Sequence, residues 1–139
     1  MKDWNYKDFD IFNDLENRKN STHNKVGGDK SGKIEYKFNE LGFLGDSLET
    51  YQKSKKKFVV FGCSHTAGIG NELKHTWVQR ISDRTGHKYI NCGIQGISND
   101  TISRAVLSFT DYLKPDFAIV LHTYPHRREY TTSEGRKCS

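Results

Sequence analysis

Phe58-Val59-Val60-Phe61-Gly62-Cys63-Ser64-His65-Thr66-Ala67-Gly68-Ile69-Gly70 sets the plan of the chain. Four apolar residues in a row suit a strand buried on both faces and are too few for a helix. They end abruptly in a polar turn and then a glycine-punctuated loop. At the carboxyl end of a parallel strand such a turn makes a site, because ligands collect there. The N-terminus of the following helix also presents backbone N–H groups to an anion or oxyanion. The turn places Ser64 there with its hydroxyl exposed.

The elements downstream follow the same plan. Thr76-Trp77-Val78-Gln79 has capping-box spacing, and Trp77, Val78 and Ile81 form an apolar stripe before Gly86 closes a helix. Lys88–Cys92 is a short strand running into Gly93-Ile94-Gln95-Gly96, a second glycine-marked turn at a strand end. A helix starting near Ser98 or Asn99 buries Ile102, Ala105, Val106, Phe109 and Leu113 and stops before Pro115. Phe117–Leu121 is then a third buried strand. Strands and helices in alternation, with continuous apolar strands, predict an α/β fold with right-handed crossovers and a parallel sheet.

Upstream of Phe58 the pattern is looser. Residues 1–32 are rich in Asn, Asp, Lys and Gly, with scattered Trp4, Phe9, Ile11, Phe12 and Leu15. The last three have helical spacing, so one short turn docks on the domain, and Asn24–Gly32 reads as a loop. Lys33–Phe38 alternates, with Ile34, Tyr36 and Phe38 on one face, as an edge strand or hairpin arm does. Asn39–Gly45 is turn-rich, and Lys53–Lys57 is a solvated basic linker. The chain thus divides into an arm with an edge strand and linker (1–57), a partial α/β domain (58–125) and a polar tail (126–139). From His122 onward there is no further apolar strand or helix, so the sheet either ends in an unusual open edge, associates through that edge with itself or a partner, or belongs to a truncated chain.

Composition narrows the function classes. The 139 residues fit one domain without internal repeats; 34% are hydrophobic and mean hydropathy is -0.81, so the core comes from part of the chain. The net charge of +5 is spread out, with 12 basic and 10 acidic residues in 1–57 and 10 and 7 in 58–139, which gives no nucleic-acid stripe. No stretch approaches the roughly 20 apolar residues of a membrane span, and MKDWNYKDFD lacks the apolar region of a signal peptide. A soluble, cytoplasmic protein with no membrane contact is expected. Cys63, Cys92 and Cys138 are odd in number and lack CxxC spacing, so they predict neither a disulfide framework nor a metal site; Cys63 and Cys92 read as small buried thiols under the loops. No cofactor is expected: the loop has neither the lysine of GxxxxGK[ST] nor the spacing of GxGxxG, which leaves nucleotide binding weakly supported.

Gly62-x-Ser64-His65-Thr66, followed by Gly68, Gly70 and Trp77, resembles the first block of the SGNH (GDSL-like) hydrolase superfamily, especially its phage-type members. The similarity runs from about Phe58 to His122. It implies a flavodoxin-like three-layer α/β/α fold, incomplete at the C-terminus, with the Phe58 strand between the other two. It also implies a serine hydrolase acting on an ester, for instance of an acylated carbohydrate. Under the resemblance Ser64 is the nucleophile and its own N–H one oxyanion donor. Gly96, in Asn91-x-x-x-x-Gly96, supplies a further donor; Gly93 is the neighbouring alternative, and either glycine also suits a positive φ or close packing.

The later blocks depart from the family. Alignment on Pro115-Asp116 puts Pro125 where the family has an oxyanion-hole Asn, with Thr123 as a weak substitute donor, and no Asp-x-x-His follows. His65, His122 and His126 are the remaining candidates for a base. Arg127, Arg128 and Glu129 read either as an anion or partner contact or as a solvated tail. Gly45-Asp46-Ser47-Leu48 spells GDSL literally, but no buried strand precedes it, so Ser47 is expected at an exposed loop or helix start. The competing reading is a catalytically incomplete SGNH-like scaffold acting as a binding or structural protein.

Overall fold

The apolar run at Phe58 becomes the central strand of a four-stranded sheet in the computed structural model, which describes residues 13–26, 33–133 and 135–138. Strand β4 (Lys57–Gly62) is flanked in parallel by β5 (Lys88–Gly93) and β6 (Phe117–Val120), and β3 (Leu44–Gly45) adds to β5 antiparallel, giving the order β3-β5-β4-β6. The fold is mixed α/β with a mostly parallel sheet. Because successive side chains alternate between faces, Val59 and Phe61 point to one side and Phe58 and Val60 to the other. All four are fully buried, and each contributes about 1.5–3 kcal/mol by leaving water.

Val59 and Phe61 pack, with Ile90 and Cys92, under helix α5 (Asn99–Leu113) through Ile102, Ala105 and Phe109. Helix α2 (Leu48–Lys53) adds Tyr51 to this side, and α1 (Asn13–Arg18) adds Leu15. Phe58 and Val60 pack under α4 (Trp77–Thr85) through Trp77, Val78 and Ile81. The caps fall where the sequence places them. Thr76 accepts the Gln79 N–H at 3.3 Å, Gly86 ends α4 at φ 72°, and Ser98 accepts the Thr101 N–H at 3.3 Å.

Four expectations need correction or extension. Lys33–Phe38 is indeed a hairpin arm, β2 (Lys33–Lys37), but its partner β1 (Thr22–Val26) occupies part of the segment read as the loop Asn24–Gly32. Thr22 and Val26 are β-branched, which suits them to a strand; residues 27–32, and Trp4, Phe9, Ile11 and Phe12 of the arm, lie outside the described residues. The turn-rich Asn39–Gly45 contributes β3, which makes the sheet mixed rather than purely parallel. Phe117–Leu121 is not a buried strand: Phe117 and Val120 are each 38% exposed and Leu121 40%, because among the described residues β6 pairs only with β4 and nothing covers its outer edge. The polar tail also forms a hairpin, β7 (Glu129–Thr132) with β8 (Gly135–Cys138).

That hairpin is held by charge. Arg104 of α5 makes a bidentate ion pair with Glu129, the Glu129 N–H donates to Asp100, and Arg128 Nε lies 3.1 Å from the same carboxylate. Arg128 and Glu129 are therefore engaged within the chain rather than presented as a free tail.

Candidate active site at the end of the central strand

Ser64 opens α3 (Ser64–Ala67), a single turn seated on the carboxyl end of β4, and is half-buried. The seat is tight because Gly62 has no side chain: a Cβ there would stand 2.0 Å from Thr66 Oγ1 and 2.9 Å from the Leu121 carbonyl. Asn91, buried in β5, clamps the turn from the other side. Its Nδ2 donates to the Thr66 carbonyl at 2.7 Å, and its Oδ1 accepts the Gly93 N–H at 2.9 Å. The clamp meets two backbone groups in a place where water is excluded, where an unpaired donor or acceptor costs about 1–3 kcal/mol.

The strand-end loop after β6 completes the site. Leu121 N–H continues the ladder to Phe61 O at 2.9 Å, and Asn99, the first residue of α5, then holds Thr123 by both backbone groups, at 2.8 and 3.1 Å. Between α3 and this loop runs a groove of about 540 Å³ lined by Cys63, His65, Trp77, His122, Thr123 and Tyr124, with Leu121 and Pro125 completing the wall. Trp77 is fixed there by its indole N–H, 3.4 Å from the His65 carbonyl.

The candidates divide accordingly. Cys63 and His65 line the groove together with His122, Thr123 and Pro125, whereas Ser64, between them, is not among its lining residues. His126 instead stacks on Tyr124, with ring centroids 5.7 Å apart, and Arg127 covers that tyrosine ring while donating to Thr123 Oγ1 at 3.2 Å. The two glycines behave differently. Gly93 is a close-packing position, where a Cβ would meet Ala67 N at 2.4 Å; Gly96 is an exposed turn residue at φ 79° with open space above it, outside the groove. Ser47 caps α2, accepting the Thr50 N–H at 3.2 Å. Its neighbour Asp46 accepts the Tyr89 N–H at 2.9 Å and lies 3.6 Å from Lys88 Nζ, so the literal GDSL string is a structural joint between α2 and β5.

Cys63 is the residue whose chemistry the sequence reading passed over. It is the N-cap of α3. Burial pushes its thiol up, but hydrogen bonds from the His65 N–H and from the Thr123 and Ser64 side chains, with the positive charge of Arg127, outweigh burial and hold its pKa below the ordinary thiol value. Both thiols are buried, at 2% and 0% exposure, but on Cys92 burial acts alone and pushes the thiol well above the ordinary value. The thiolate is the reactive form, so alkylation of Cys63 should begin at a lower pH than the usual thiol range near 8.5. At neutral pH, iodoacetamide on the native protein should modify Cys63 about tenfold or more faster than Cys92, read by peptide mapping; equal rates would contradict the electrostatics of this turn. The only signal in the sequence was position, since Cys63 immediately precedes the candidate nucleophile.

Among the described residues no group of three or more His, Cys, Asp or Glu side chains could hold a metal ion, and no helix is long and apolar enough to cross a membrane. Comparison with family models, with curated proteins and with solved structures gives no match.

Proposed function

We propose that the groove is the site of an SGNH-type ester hydrolase built on a flavodoxin-like scaffold, with Ser64 as nucleophile, His122 as general base and a small-molecule or carbohydrate ester as substrate. The observation that carries the reading is the convergence of two strand ends on one groove: the turn after β4, which bears Ser64 and lines the groove through its neighbours Cys63 and His65, and His122 after β6. A nucleophile at the end of the central parallel strand and a base from its neighbour is the arrangement that acyl transfer needs. In this mechanism His122 takes the Ser64 proton as the hydroxyl attacks the ester carbonyl. The Ser64 N–H faces the developing oxyanion, and the His122 proton then passes to the leaving alkoxide. Gly96 would join as a donor only if its turn folded toward the groove. The Trp77 ring offers an apolar face of the kind that packs against a sugar ring.

A second reading, an SGNH-like scaffold that binds without turnover, is favoured by two observations. Cys63 and His65 line the groove but Ser64 itself does not, and Pro125, without an N–H or an amide side chain, stands where the family places its oxyanion-hole Asn. A fluorophosphonate probe separates the two, because it reacts only with an activated serine. Under the hydrolase reading, intact mass rises by one probe adduct and peptide mapping places it at Ser64. A folded protein that takes up no probe leaves the binding scaffold as the function.

A further inference from the structure

The groove wall formed by Leu121–Pro125 is anchored to α5 at two points. The first is Asn99, which holds Thr123 by both backbone groups. The second lies just past the wall. There Arg104 grips the Glu129 carboxylate with both guanidinium N–H edges, and Asp100, one turn earlier on α5, accepts the Glu129 N–H at 3.2 Å and lies 3.1 Å from Arg128 Nε. Between the anchors Tyr124–Arg127 is a turn closed on itself: the Arg127 N–H donates to the Tyr124 carbonyl at 3.1 Å, and His126 and the Arg127 guanidinium both lie on the Tyr124 ring. Tyr124 is 56% exposed, and Pro125 and His126 are exposed with it, so the turn takes its position from its two ends.

The second anchor is set apart by burial. The Arg104 and Glu129 side chains are 20% and 8% exposed, whereas Lys37–Glu35, Lys53–Glu49 and Lys74–Glu72 leave more than half of each side chain in water. Exposed pairs of that kind contribute little. A bidentate pair withdrawn from water demands one geometry, and this one joins residues 25 apart, fixing the tail on the helix. The hairpin of β7 and β8, two strands of four residues, is marginal on its own, so its place on the domain depends on what ties it there. We propose that the Arg104–Glu129 pair is a latch for the groove, with Arg104 a positioning residue that sets Thr123–Arg127 against the α3 turn. Removing one partner leaves the other charge unpaired where water is scarce, so it turns out to solvent and the hairpin moves with it. Arg127 then loses its fixed place beside Thr123. The latch acts on the groove whether the groove hydrolyses an ester or only binds, so it does not depend on the hydrolase reading.

Amide hydrogen exchange of the full chain reads the latch. In Arg104→Met the Arg127 and Glu129 N–H groups should exchange about tenfold or more faster, while the amides of β4 and β5 keep their wild-type rates. A protein that is merely less stable would speed all of them together. Glu129→Gln should act in the same direction, and Arg104→Met combined with Glu129→Gln should exchange no faster at these sites than Arg104→Met, because a single interaction is lost once. The groove itself reports through Cys63, whose thiol is held down in part by the Arg127 charge. Its titration, followed by the Cβ chemical shift, should move upward in Arg104→Met, in the same direction as in Arg127→Met, which removes the charge directly. Unchanged exchange at Arg127 and Glu129, additive effects in the double variant, or a Cys63 titration that stays in place in Arg104→Met would each overturn the proposal.

Discussion

Gly93→Ala should destabilise the protein by about 3 kcal/mol and disrupt the groove as it does so. A methyl group at position 93 would stand 2.4 Å from Ala67 N and 2.9 Å from the Thr66 carbonyl carbon. Both are backbone atoms, so no rotamer change relieves the overlap. Either the end of β5 retreats or α3 lifts off its seat. Lifting α3 breaks the Asn91 bond to Thr66 O and moves Cys63, Ser64 and His65 together. Gly96→Ala is the matched control: it meets nothing within 4 Å and carries only the strain of φ 79°, about 1 kcal/mol. Urea midpoints measure the two variants. A Gly93→Ala protein within about 0.5 kcal/mol of wild type would show that β5 does not support α3 as described.

The contrast between these glycines shows where the sequence was informative. Both follow a strand in the same short motif, and both suit a turn, so spacing alone could not assign one to packing and the other to open space. What separates them is the partner from a distant segment, α3, and long-range proximity leaves no trace in local pattern. Local signals read well: the four-residue apolar run at Phe58, Thr76 and Gly86 at the ends of α4, and Ser98 before α5 were legible because caps and buried strands depend on neighbouring residues. Phe117–Leu121 misled for the opposite reason. An apolar run reports that a strand wants to be covered, and among the described residues nothing covers the outer edge of this one. Asn91 and Asn99 were also invisible as clamps, since each bonds backbone from another element, at Thr66 and at Thr123.

Ser64→Ala should remove fluorophosphonate labelling at position 64 completely while changing stability by less than about 1 kcal/mol, since the residue is only half-buried. The decisive comparison is between the two histidines after β6. His122 lines the groove with Cys63 and His65; His126, four residues on, is stacked against Tyr124 outside it. A general base contributes roughly 100-fold or more to attack by a serine. His122→Ala should therefore slow labelling about 100-fold, and His126→Ala should leave it within about threefold. His122→Gln keeps much of the volume and a polar tip but cannot accept the proton as imidazole does, so it should be as slow as the alanine variant. If volume alone mattered, the glutamine variant would instead recover the rate. Equal labelling of His122→Ala and wild type would remove His122 from the mechanism and leave His65, on the same turn as the serine, as the base to test. That assignment is physically harder, because side chains one residue apart on a helical turn point in different directions. Loss of labelling in both histidine variants would mean that the whole loop from Leu121 to Arg127 positions the base as one unit, through the Asn99 clamp on Thr123 and the Arg127 bond to the same residue.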